Sequence, residues 1–180
     1  MSAAGPAVEI RAARPGDATA LAELHVSVWR ATYSTIAPQE ALDRLDVDHR
    51  LPYWQRTAAS GDPAVGAVVA LVGSTHSGVV SFGHPVHPAF DGMAEIKHLY
   101  VRPEARGRGL GRQLLGAAFA HLHGIGQTGA GLAVVRENEA ARRFYRAMGG
   151  IEDGGFTDPG PLWRSDNVLV RWSLPMPDSR

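Results

Sequence analysis

The chain has 180 residues, 44% of them hydrophobic, which is enough for one domain with a substantial core and too little for two comfortable ones. Its formal net charge of +0 gives no global field to recruit nucleic acid or an acidic membrane, and the absence of cysteine excludes a disulfide framework or a thiolate metal site. Val8–Ala12 reads as a strand, and Pro15-Gly16-Asp17 as the turn and N-cap of a helix carrying Leu21, Leu24, Val28 and Trp29. A second helical region follows Pro38 and runs, broken at Leu51-Pro52, to about Ala59, where Gly61-Asp62-Pro63 stops it. Val65–Val72 and Gly78–His84 read as a hairpin around Gly73-Ser74-Thr75, and Ala94–Val101 as a further strand. Leu110, Leu114, Leu115, Ala118, Phe119 and Leu122 recur at helical spacing. Gly131–Val135 is then a short strand and Asn138–Met148 a helix, capped by Asn138 and ended by Gly149-Gly150; Ile151–Phe156 and Asn167–Leu174 supply the last strands. The order β-α-α-β-β-β-α-β-α-β-β predicts an α/β fold of the α+β type, a single domain over residues 1–180 with a mixed, mostly antiparallel sheet and helices on both faces. The first and last seven or so residues read as loose tails. MSAAGPAVEI lacks a basic n-region and an apolar h-region, and no apolar run is long enough to span a bilayer, so the expected location is cytoplasmic with no membrane partner.

The most informative segment is LYVRPEARGRGLGRQLL, Leu99–Leu115, a strand that runs through an arginine- and glycine-rich turn into a helix. Small residues at Gly107, Gly109 and Gly111 let backbone N–H groups converge on an anion at the helix N-terminus, and Arg106, Arg108 and Arg112 add charge. A nucleoside triphosphate loop needs Gly-Lys-Ser/Thr, and neither the Lys nor the hydroxyl follows Gly111. A dinucleotide loop needs GxGxxG with an acid about twenty residues on, whereas the spacing here is GxGxG and position 131 is Gly.

RGRGLG matches instead the R/Q-x-x-G-x-G/A pyrophosphate loop of the GNAT family of N-acetyltransferases. Asn138-Glu-Ala-Ala-Arg-Arg-Phe-Tyr145-Arg-Ala-Met-Gly149 resembles that family's N-x-x-A-x-x-F-Y-x-x-x-G segment, and His25–Tyr33 is similar to the first helix of many bacterial members. The resemblance spans about residues 8 to 172, with one departure, Gly149-Gly150-Ile151 where the family usually has Gly-Phe. It implies acetyl-CoA as cosubstrate, held by Arg106, Gly107, Arg108, Gly109, Leu110, Gly111 and Arg112 at the pyrophosphate and by the main chain of Leu99, Tyr100 and Val101 along the pantetheine, with Asn138 on the same arm.

An acetyl thioester stores the driving force for acyl transfer, so the protein has only to align an amine, take its proton and stabilise the oxyanion; no metal is required. Glu95, six residues before Val101 and at the offset where histone-type members carry their catalytic Glu, is the candidate base. His98 is its rival, and strand parity turns one of the two away from the site unless a bulge intervenes. Tyr145 stands where the family places the donor to the departing coenzyme A thiolate; its alternative is packing beside Phe144. Trp29 and Tyr33, one helical turn apart, either wall an acceptor pocket or belong to the core. Thr157–Ser165 reads as a lid over the acceptor, and His84/His87 and His121/His123 lack the companions a metal site needs. The function expected is acetyl transfer to a primary amine by direct attack in a ternary complex, since zero cysteine removes the commonest acyl-enzyme nucleophile and no GxSxG elbow is present. A small-molecule acceptor is favoured because Ala133 replaces the Glu that members acting on ribosomal protein N-termini carry. A protein amine, and a coenzyme sensor without chemistry, are the alternatives; no nucleic acid is expected, and a homodimer is the commonest assembly.

Overall fold

A computed structural model describes residues 6–175. Strands β1 (Val8–Ala12), β2 (Gly66–Val72), β3 (Thr75–Gly83), β4 (Ala94–Val101), β5 (Gly129–Val135), β6 (Ile151–Asp158) and β7 (Ser165–Ser173) form one sheet of order β1-β2-β3-β4-β5-β7-β6. Every neighbouring pair is antiparallel except β4 and β5. The mixed, mostly antiparallel sheet expected from the sequence is present. Helices α1 (Ala18–Tyr33), α2 (Gln39–Arg44) and α3 (Val47–Ala58) precede β2, α4 (Leu110–Gly124) follows β4, and α5 (Glu139–Ala147) follows β5.

Alternation along the strands feeds two cores. Val69, Leu71 and Val79 pack with Leu21, Leu24, Val28 and Trp54 of α1 and α3 on one face. Val68, Ala70, Val80, Phe82 and Ile96 pack with Leu110, Leu114, Leu115 and Leu122 of α4 on the other, joined by Tyr145 of α5 and Trp172 of β7. Gly111 lies at the junction of α4 and α5: a Cβ there would stand 3.2 Å from the Phe144 ring. Its smallness therefore serves helix packing, in addition to anything it does for an anion. The Gly150 departure has a similar cause, because a Cβ at that position would come within 2.5 Å of Val170 and 2.7 Å of Trp172.

Several local expectations need correction. The helical break falls at Leu45–Asp46, where the Asp46 side chain accepts from His49 N at 2.7 Å and opens α3, and Pro52 sits inside that helix. Asp17 stands at the N-cap of α1 without capping it. Its carboxylate is taken by Arg14 N at 2.7 Å, by Arg11 at 2.8 and 2.9 Å, and by His76 at 2.8 Å. The hairpin turn is two residues, with Thr75 paired to Val72 and Gly73 at φ +62, so β3 begins three residues earlier than the pattern suggests. The first five and last five residues of the expected tails lie outside the described residues.

Candidate active site at the fork of β4 and β5

The parallel strands β4 and β5 are joined at only two register pairs, Ala94 with Ala130 and Glu95 with Gly131. Beyond Glu95 they part, and the β5-facing edge of β4 through Leu99, Tyr100 and Val101 has no strand partner. Unpaired strand edges present backbone donors and acceptors, so the fork accepts an extended chain that brings its own amides. The Val101 carbonyl already accepts from Arg106 Nε at 3.2 Å.

Helix α4 starts at the mouth of this fork. Gly109 is its N-cap at φ +74, Gly107 has the same angle, and no side chain caps the helix. Arg106, Arg108 and Arg112 are exposed around it. An uncapped helix N-terminus ringed by guanidinium groups suits a pyrophosphate. Helix α5 starts at the other side of the fork, where the Asn138 side chain accepts from Ala141 N at 3.2 Å. The Asn138 oxygen is thus engaged in capping, and its amide N–H groups face Tyr33 and the fork.

On β4 a register shift between Ser81 and Phe82 makes Lys97 an extra residue, so His98 faces Ser81 while Glu95 faces Gly83. Ser81 and Gly83 are two apart on β3 and share a face, which puts Glu95 and His98 on that face together despite their odd spacing. Simple parity separates them; the bulge reunites them. Glu95 is ion-paired to Lys97, both side chains being mostly buried. His98 Nδ1 lies 3.0 Å from Ser81 Oγ and 3.3 Å from the Tyr53 hydroxyl, which itself donates to Ser81 at 2.9 Å. Burial holds the His98 ring neutral, with its pKa lowered to about 3, and the charges of Arg50 and Lys97 act in the same direction. His25 of α1, missed in the sequence as a site residue, is fully buried against His98 and Tyr100, at ring-centroid distances of 4.7 and 4.8 Å. Tyr53 and Trp54 of α3 complete this ring-lined wall. Their aromatic character was the available signal, and it reads equally well as core.

Tyr145 is buried beside Phe144 and Trp172, yet its hydroxyl makes no hydrogen bond among the described residues and is not one of the atoms sealed from solvent. Burial, then the neighbouring Tyr33, pushes the phenol well above its ordinary value. The hydroxyls of Tyr33 and Tyr100 are likewise raised by burial, and the Asn138 side chain opposes the shift at Tyr33. Tyr33, Tyr100, Tyr145 and Asn138 therefore gather at the fork. Trp29 is different: it is buried among Val26, Ala41 and Leu45 and backs Tyr33 at 5.1 Å from within the core. Trp163, from the loop between β6 and β7, closes on Tyr33 at 6.0 Å. His84 pairs with Asp62, His87 stacks on Phe156 at 3.8 Å, and His121 bonds the Pro63 carbonyl at 2.7 Å, so these histidines serve local structure.

The model of the acetyltransferase (GNAT) family matches residues 19–149, spanning α1, the fork, the glycine turn and α5. The chain belongs to the GNAT family of acetyltransferases. As a member of the GNAT family it is an acyl-CoA-dependent N-acyltransferase. It is 32% identical over 143 residues to the uncharacterized N-acetyltransferase YuaI of Bacillus subtilis, covering 78% of each chain. It is 26% identical over 144 residues to the L-amino acid N-acyltransferase MnaT of Escherichia coli, covering 79% of this chain and 78% of the relative. Among solved structures, yncA from Salmonella typhimurium with its cofactor acetyl-CoA superposes with a TM-score of 0.70 at 23% identity, covering 97% of this chain and 98% of that one. That likeness shows the shared fold. No helix among the described residues is long and apolar enough to cross a membrane.

Proposed function

We propose that the enzyme moves an acetyl group from acetyl-CoA to the primary amine of a small molecule by direct attack within a ternary complex. The observation that carries this reading is the fork itself: the strand whose free edge faces β5 also presents Glu95 and His98 on the α1/α3 face. In this scheme the uncapped start of α4, with Arg106, Gly107, Arg108, Gly109, Leu110, Gly111 and Arg112, holds the pyrophosphate. The pantetheine lies along Leu99–Val101 with Asn138 opposite, and the thioester meets the amine at the opening. Glu95 takes the ammonium proton, with neutral His98 as the hydrogen-bonding neighbour that orients the amine. The amine nitrogen bonds to the thioester carbon, main-chain N–H groups of β4 receive the oxyanion, and as the carbon–sulfur bond breaks the Tyr145 hydroxyl gives its proton to the departing thiolate while the proton lost from the new amide nitrogen restores the phenol. Tyr33 lines the acceptor side, supported from behind by Trp29. The acyltransferase activity named for MnaT, on L-amino acids, supports a small-molecule acceptor.

Release of free thiol from acetyl-CoA over a panel of L-amino acids, polyamines, aminoglycosides and peptides tests the proposal. Turnover with a small amine is expected. Turnover confined to peptides would overturn the small-molecule assignment, and coenzyme binding without turnover on any amine would make the chain a sensor.

A further inference from the structure

The charges on the acceptor face do not balance. Glu95 and Lys97 neutralise each other, and burial keeps both His25 and His98 uncharged. Arg50 of α3 is left over: among the described residues its side chain has neither an acidic partner nor a hydrogen bond, and its Nε is sealed from solvent. It stands one helical turn before Tyr53 and Trp54, whose rings lie 4.9 and 5.9 Å from His98. Residues three and four apart on a helix share a face, so the guanidinium lies on the side of α3 that carries these rings, and its charge bears on His25, His98, Tyr53 and Tyr100. Tyr53 also feels the opposite charge of Glu95.

A guanidinium desolvated on one side and unpaired is costly to leave in a wall of neutral rings. The terminal nitrogens, which are not sealed, form an open fork of the shape that takes a carboxylate bidentately. Because the free charge is positive, the wall repels a polyamine or an aminoglycoside, which brings further cations with the reacting amine. A zwitterion whose amine nitrogen and carboxylate carbon are bonded to one common carbon answers both the base and the guanidinium.

Resting on the acetyl-transfer reading above, we propose that Arg50 binds the carboxylate of the acceptor and thereby selects amines that carry a carboxyl group close to the nitrogen, the α-amino acids. The aromatic wall of His25, Tyr53, Trp54 and Tyr100 excludes water from that pair.

The test compares leucine, methionine and phenylalanine, each with its own amide, as acceptors for wild type and for Arg50→Gln. Wild type prefers acid to amide, and in Arg50→Gln the acid-to-amide ratio of kcat/KM falls roughly tenfold to hundredfold, the worth of one hydrogen-bonded charge pair. The difference in amine basicity between acid and amide cancels when the two proteins are compared. The loss appears in KM for the acid, Arg50→Lys retains part of the preference, and KM for acetyl-CoA stays constant. A ratio that survives in Arg50→Gln, or equal use of acid and amide by wild type, overturns the assignment while leaving acetyl transfer intact. A raised acetyl-CoA KM in place of lost selectivity assigns Arg50 to the coenzyme and also overturns it. Failure of every amine in the wild type removes the transfer reading itself.

Discussion

Changing Tyr145 to Phe deletes one oxygen and leaves the ring between Phe144 and Trp172. The deleted hydroxyl has no hydrogen-bond partner among the described residues, so the fold gives up no polar contact, and stability should move by less than about 1 kcal/mol. The thiolate that leaves acetyl-CoA is another matter, because a hydrogen bond to an ion contributes about 1.5–3 kcal/mol. If that bond forms only as the carbon–sulfur bond breaks, kcat falls about tenfold to 150-fold at 1.36 kcal/mol per decade. Steady-state thiol release and a melting curve on this variant provide the check. Parallel drops in kcat and kcat/KM, with an unchanged KM for acetyl-CoA and a near-normal melting temperature, are expected. Normal turnover would refute the role whatever the melting temperature does, since a tyrosine that only packs keeps its ring in the phenylalanine variant.

Glu95→Gln keeps shape but removes both the basicity and the charge that pairs with Lys97, and turnover of a high-pKa amine should fall by roughly 10²–10⁴ with coenzyme affinity preserved; an unaltered pH–rate profile would move the role to His98 or to water. Gly109→Val places a branched side chain at φ +74, at a cost of about 1–2 kcal/mol. Its melting shift on adding acetyl-CoA should also shrink, and full retention of that shift would remove the pyrophosphate from this turn. His98 has a folded pKa of about 3 against about 6.5 unfolded, so between those values the unfolded chain binds more protons. Stability should therefore decline as pH falls through that window, and urea midpoints of His98→Gln should decline less steeply. Asp17 is held well below the usual carboxylate range, first by its bond to Arg11. Its contribution is present above the ordinary carboxylate pKa and is lost only in stronger acid, a step that Asp17→Asn should abolish.

The glycine turn, the Asn138 cap and the strand Ala94–Val101 were legible because each depends on local chemistry: positive φ, a side chain that reaches its own backbone, and alternation. What the sequence hid depends on pairing. The Lys97 bulge exists only relative to β3, so counting along β4 alone separates Glu95 from His98. Pro52 suggests a break because its lost N–H is a local cost, while the packing of Trp54 and Thr57 carries α3 through it. Asp17 has the composition of an N-cap, yet Arg11 and His76 arrive from other strands and outcompete the helix for its oxygens. His25 and Arg50 passed unnoticed because a histidine or an arginine on a helix is ordinary until the rings around it are known.

The fork between β4 and β5 also divides the sheet mechanically. Four strands lie to one side and three to the other, sewn together along the ladder by two residue pairs at Ala94–Glu95. Below that stitch the halves share one apolar floor, since Phe82, Ile96, Leu132 and Val170 belong to the same cluster. A bound pantetheine would act as a splint across the open seam, tying both halves through its amides. The backbone amides of β4 that face the seam should exchange quickly with solvent in the free enzyme and slowly in the complex, while those facing β3 barely change. Coenzyme would then count as part of the sheet, and the mechanical integrity of the molecule would rise and fall with each catalytic turnover.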